Sequence, residues 1–191
     1  LNSLSDEEKA KVWGVKGKLL KENLERLEEI DLSVFGSPAL FSYDGIQFTY
    51  MSPSSFTDDM VSYAEENLRI ISGFYGLLRP MDGIVPYRLE MESKININGK
   101  GDLYSFWGDD IARELEKEES LVVNLASEEY SKAVVPHLRK DVDVISPVFL
   151  EEVKQQVACP EVICGVHCNF PKEIFYLRVL YHKCSKSVPQ V

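Results

Sequence analysis

The sequence predicts a mixed α/β fold, a mixed sheet surrounded by helices, and three observations lead there. Residues 4–30 and 103–118 carry apolar residues at helical spacing. Residues 121–125 are a short apolar run bounded by charge, which reads as buried strand, and residues 142–148 read as another strand. The two kinds of segment alternate along the chain, as they do where helices cover a sheet. With 191 residues and 45% hydrophobic content, the chain can bury one core. The expected organisation is a single domain over residues 1–152, followed by a tail of different composition over 153–191.

The elements follow in order. Ser5 and Glu8 have capping-box spacing and start a first helix. Gly14-Val15-Lys16-Gly17 interrupts it, and a second helix runs from about Lys18 with Leu20, Leu24 and Leu27 on one face. Residues 43–50 read as a strand opened by an Asp-Gly turn signal. A helix capped within residues 55–58 is expected to place Met60, Ala64, Leu68 and Ile71 on one face and to end at Gly73 and Gly76. Residues 77–88, rich in Pro and Gly, read as a structured loop. One helix is expected over 103–118 with Phe106, Ile111 and Leu115 inward, then a strand, a short helix capped by Ser127, and a last strand over 142–148.

Charge and composition bound the function. The net charge of −10 argues against nucleic acid as a whole-molecule property, because phosphate neutralisation dominates DNA affinity. A local basic patch on an acidic protein escapes that argument. No apolar run approaches the roughly 20 residues that span a bilayer, so no membrane role is expected. The first ten residues carry no signal-peptide pattern, and Leu1 in place of methionine suggests an earlier start. All four cysteines follow position 158, so the body suits a reducing cytoplasm. There is no P-loop, no dinucleotide-binding glycine motif and no His-Glu-x-x-His. His137, His167 and His182 have no spacing that supports nucleophilic catalysis.

Three groups of residues could carry chemistry. Gly14, Val15, Lys16, Gly17, Lys18 and Lys21 resemble the turn of a helix-hairpin-helix element, with one residue more than the usual Gly-apolar-Gly. Glycines let backbone approach a phosphate, the second helix's N–H groups face the anion, and the lysines follow the phosphates without reading bases. The plain alternative is a helical hairpin with a glycine turn. Arg79, Asp82, Tyr87, Arg88 and Glu90 form the second group on a Pro-fixed loop. Arginine forks suit phosphate or carboxylate, but pairing within the loop explains the residues as well. The third is Asn124, Ser127, Glu128 and Tyr130 at a strand-to-helix turn, where helix capping is the bland reading.

Read together, these segments resemble the YaaA peroxide-stress family. Leu68-Arg69-Ile70-Ile71-Ser72-Gly73-Phe74-Tyr75-Gly76-Leu77-Leu78-Arg79-Pro80 carries the resemblance first. Pro86-Tyr87-Arg88-Leu89-Glu90-Met91, then Leu103-Tyr104-Ser105-Phe106-Trp107-Gly108-Asp109, continue it. Asn124-Leu125-Ala126-Ser127-Glu128-Glu129-Tyr130 and Pro147-Val148-Phe149 close it. The blocks add Trp107 to the candidate ligand or anion site. The resemblance implies a cytoplasmic bacterial protein of peroxide resistance. It also implies binding to double-stranded DNA through a helix-hairpin-helix element, and protection against iron-dependent damage. It implies no assigned reaction and no established cofactor, with iron the possible one.

The chain departs from the family pattern at both ends. The opening strand with its Ser-Pro motif is missing, and the basic helix expected after Glu152 is replaced by the tail, as a frameshifted gene end would produce. Cys159, Cys164, His167, Cys168, His182 and Cys184 could ligate zinc or iron there, although their spacing is not a standard zinc pair. Two further readings remain open at this point. One is an enzyme holding an anionic substrate with Arg79, Tyr87, Arg88, Glu90, Asn124 and Glu128. The other is an iron-handling protein using Asp82, Glu90, Glu128 and Glu129.

Overall fold

The structure is a computed structural model and describes residues 1–117, 120–148 and 179–181. Helix α1 (Asp6–Trp13) opens with the expected capping box: the Ser5 hydroxyl accepts from the Glu8 N–H, and the Glu8 carboxylate accepts from the Ser5 N–H. It ends at Gly14 (φ 62°), where the Gly14 N–H reaches Lys11 O and the Val15 N–H reaches Ala10 O, the paired bonds of a Schellman stop. Helix α2 (Gly17–Glu29) follows after Gly14, Val15 and Lys16.

A five-stranded sheet lies at the centre, in the order β3 (Gly76–Leu78), β2 (Leu68–Ser72), β7 (Val179–Tyr181), β5 (Leu121–Asn124), β6 (Asp143–Ile145). Strands β2, β7, β5 and β6 run parallel, and β3 returns antiparallel to β2 with Ile71 opposite Leu77. All five residues of β2 are buried, and its three apolar ones divide between two hydrophobic clusters. Ile71 joins Val122 and the apolar residues of α1, α2, α6 (Leu103–Trp107), α7 (Asp110–Glu116) and α8 (Glu128–Ser131). Leu68 and Ile70 join those of α3 (Ala39–Ser42), α4 (Ile46–Met51) and α5 (Asp58–Asn67). The period-2 geometry of a strand thus sends successive side chains into opposite layers of helix. A small ladder of β1 (Ser37–Pro38) with β4 (Gly83–Ile84) flanks the second layer.

The structure corrects several expectations. Residues 43–50 are helical from Ile46, not a strand, because Gln47 and Phe48 turn inward together on α4 and an alternating strand would separate them. The helix begun at Asp58, capped by the Thr57 hydroxyl, stops at Asn67. Leu68 and Ile71 belong to strand β2, since paired neighbours on both sides hold the β-branched Ile70 and Ile71 extended. Gly73 and Gly76 therefore shape a β-hairpin and not a helix end. Residues 77–88 contain the end of β3 and the whole of β4 as well as loop. The helix expected over 103–118 is two helices, because Gly108 adopts φ 54° between them. Ser127 stands at the N-cap of α8 but makes no capping hydrogen bond with its side chain.

Candidate functional site

The α1–α2 hairpin is built to expose its turn. Val15 is 7% exposed and anchors the turn in the core, while Gly14, Lys16, Gly17, Lys18 and Lys21 lie open. Gly14 and Gly17 both have left-handed φ, and no atom stands within 4 Å of where either Cβ would be. Their glycine character serves the backbone path and leaves the approach clear. Lys16 occupies the N-cap of α2 without a side-chain cap, and no acidic residue sits in that helix's first turn. The N–H groups at this end keep their partial positive charge facing solvent.

Charge is segregated along the hairpin. Lys11 closes α1 and Lys16, Lys18 and Lys21 open α2, so the tip is basic; Asp6, Glu7 and Glu8 lie at the far end of α1. Lys18 and Lys21 reach Glu22 and Glu25 at 3.6 and 3.7 Å, exposed pairs of a kind that contributes under about 1 kcal/mol. A phosphate can displace such partners at little cost.

The Arg79–Glu90 run is arranged in the opposite way. The Asp82 carboxylate accepts from the Arg79 N–H at 2.7 Å, and the Glu65 carboxylate accepts from the Met81 N–H at 2.8 Å. Arg88 donates through Nη2 to Glu90 at 3.1 Å. Tyr87 joins a buried chain of hydroxyls, 2.6 Å from Ser72 and 2.7 Å from Tyr43. Ser72 Oγ already accepts from the N–H groups of Phe74 and Tyr75. Its lone pairs are filled, so it donates to Tyr87, whose hydroxyl also bonds that of Tyr43. Burial holds the Tyr87 phenol well above its ordinary range, with the neighbouring Tyr43 adding to it. Phe74 stacks on Tyr87 with ring centres 5.1 Å apart.

Trp107 crosses this region, donating from Nε1 to Gly73 O at 3.1 Å and lying 2.9 Å from where a Gly76 Cβ would be. Near the same edge, Glu129 accepts from the Glu92 N–H, and burial, reinforced by Glu90 and Glu92, raises its carboxyl above the ordinary range. Tyr104 donates to Glu129 O, and its phenol is pushed up to about 12 by burial first and by Glu92 and Glu129 next. Tyr87, Arg88, Glu90, Trp107 and Tyr130 thus fall near one another, linked by Gly73 and the residues around Glu129. Asn124 bonds Ser131, Ser146 and the Ala126 N–H, which fixes the strand-to-helix turn, and Glu128 pairs with Lys132 at 2.8 Å.

Sequence reasoning did not single out Ser72, Tyr43, Trp13 or Asn23. Asn23 had a visible signal, since it shares the apolar face of α2 with Leu20, Leu24 and Leu27 at helical spacing. Among the described residues no three acidic, histidine or cysteine side chains gather to hold a metal ion, and no helix is long and apolar enough to cross a membrane. The candidate ligands Cys159, Cys164, His167, Cys168, His182 and Cys184 lie outside the described residues.

Comparison with known proteins bears on the whole arrangement. The family described as peroxide stress protein YaaA matches residues 1–163. A UPF0246 protein of Limosilactobacillus reuteri is 44% identical over 158 residues, covering 82% of this chain and 64% of its own length. One from Desulfitobacterium hafniense is 46% identical over 151 residues, 79% of this chain and 60% of the relative. One from Lachnoclostridium phytofermentans is 42% identical over 157 residues, 82% and 62% respectively. The chain spans 60–64% of the length of these curated relatives. With the family match running through both the hairpin and the aromatic hydroxyl chain, the protein belongs to the YaaA peroxide stress protein family.

Proposed function

We propose that this protein binds double-stranded DNA without sequence preference through the tip of the α1–α2 hairpin, and that in doing so it limits iron-dependent peroxide damage to the DNA. One observation carries the reading: the open turn at Gly14 and Gly17, with uncapped N–H groups of α2 beside Lys16 and Lys18. Backbone N–H groups and point charges grip phosphate and carry no base information, so the binding is expected to be non-specific. The overall charge of −10 is a whole-molecule property, whereas the tip gathers Lys11, Lys16, Lys18 and Lys21. The family's peroxide-stress description supplies the link to oxidative damage.

The test is a plasmid exposed to ferrous iron and hydrogen peroxide with and without the protein. Fewer strand breaks with the parent than with the Lys16→Glu, Lys18→Glu double variant supports the proposal. Equal breakage with the two proteins, both folded, contradicts it.

A further inference from the structure

We propose that Asn98 is a modification site, where the side-chain amide is lost to attack by the Gly99 backbone nitrogen and a carboxylate takes its place. The site shares no residue with the hairpin tip, so this chemistry goes beyond DNA binding. Asn98 and Gly99 are the two central residues of a tight turn, and both are exposed. Ile97 and Lys100 close the turn by exchanging backbone hydrogen bonds of 2.9 and 3.0 Å. The φ values at Asn98 and Gly99 are 53° and 83°, and a two-residue turn with both angles positive suits an Asn-Gly pair. Asn98 is the only asparagine in the sequence that a glycine follows.

The residues that suit the turn also suit the reaction. Gly99 has no side chain to shield its nitrogen. That nitrogen lies one carbonyl beyond Asn98, so its attack on Asn98 Cγ closes a five-membered ring. Gly99 N loses its proton and bonds to Cγ, and the Nδ2 group leaves as ammonia. Water then opens the succinimide. Attack at Cγ restores the backbone and leaves aspartate. Attack at the backbone carbonyl carbon leaves isoaspartate, with the chain routed through the former side chain. The balance is water in and ammonia out, with no change of oxidation state.

The turn carries its own restraint. The Gly99 N–H donates to Asn96 Oδ1 at 3.0 Å, and the Lys100 N–H is tied to Ile97 O. A nitrogen held in the first bond does not swing toward Asn98 Cγ, so reaction waits on release of that bond. Asn96 is therefore a positioning residue that keeps the site closed, and the rate follows the fraction of molecules with the turn open. Ile95 in the core and Ile97 packed against it anchor one side of the turn. Lys100 Nζ, donating to Phe106 O at 3.2 Å, anchors the other. Isoaspartate adds a carbon to the backbone between these anchors and breaks the Ile97–Lys100 pairing.

Incubation of the full chain at fixed, mildly alkaline pH, followed by peptide mapping with mass spectrometry, tests the site. Conversion of Asn98 to aspartate and isoaspartate is expected in the folded parent, and faster conversion in the same chain unfolded in urea. Asn96→Ala removes the acceptor and is expected to raise the folded-state rate about threefold to tenfold, with the rate in urea unchanged. Asn96→Asp keeps an acceptor and is expected to hold the parent's rate or slow it. A folded parent whose Asn98 stays intact while the unfolded chain converts overturns the proposal. Equal folded-state rates in the parent and Asn96→Ala, or an Asn96→Asp rate as fast as that of Asn96→Ala, overturn the role given to Asn96.

Discussion

The hairpin tip and the hydroxyl-bonded hairpin of β2 and β3 both turn on glycines, yet they use them in opposite ways. At Gly14 and Gly17 nothing stands within 4 Å of an added Cβ. At Gly76 the Trp107 ring is 2.9 Å away, and at Gly73 the carbonyl oxygen of Leu89 is 2.8 Å away. The first pair leaves space outside the molecule; the second lets the molecule close on itself. Charge follows the same division. Lysines at the tip hold only weak, exposed partners, while Asp82, Glu90 and the Tyr87 hydroxyl are spent on their own backbone and neighbours. Substitutions in the inner region should therefore change stability, and those at the tip should change what the protein binds.

The largest expected contrast is between two alanines. Gly76→Ala meets both a φ of 78° and the Trp107 ring, and is expected to lower unfolding free energy by about 3 kcal/mol. Gly14→Ala meets only the left-handed φ of 62° and should cost about 1 kcal/mol. Urea denaturation of the two variants measures the difference, and equal losses would break the comparison. Next is Tyr87→Phe, which removes the link between Ser72 and Tyr43 and leaves the Ser72 proton without its acceptor. A loss of about 2 kcal/mol is expected in the same assay.

The smallest effect concerns pH. Burial raises the Glu129 carboxyl, so the folded state holds that proton more tightly than the unfolded chain, whose value is near 4.5. The contribution to stability is present below that value and is lost as pH rises through the raised folded value. Glu129→Gln should thus be more stable than the parent at neutral pH, with the advantage vanishing on acidification. Thermal melts across the acidic range read this directly, and an advantage independent of pH would rule out titration of Glu129 as its source.

What the sequence disclosed divides along the same line. The outer hairpin was legible because its signals are local: Ser5 with Glu8, Gly14 as a stop, and leucines at helical spacing. The inner region was not, because its logic is long-range. Leu68–Ser72 is buried on both faces, so it shows no alternation and its apolar residues also satisfy a helical period. Only pairing with β3 and β7 makes it a strand. The Ser72–Tyr87–Tyr43 chain joins residues as far as 44 positions apart, which no spacing announces. Residues 43–50 misled for a related reason: Phe48 packs with Ala39, Leu40 and Ala64 in a helical layer, and that contact outweighs a strand-like composition. The resemblance of the ordered sequence blocks found the family without resolving these elements.

The central claim is that the tip is a free phosphate-binding surface, and a salt titration of binding to a labelled duplex tests it most directly. The parent chain is compared with the Lys16→Glu, Lys18→Glu variant, whose stability should change by less than about 0.5 kcal/mol because both side chains are exposed. The account predicts that the parent's affinity falls steeply with salt, and that the folded variant binds far more weakly with a salt slope reduced by about 2. A folded variant that matches the parent in affinity and slope would contradict the account, as would a folded parent that binds no duplex at low salt.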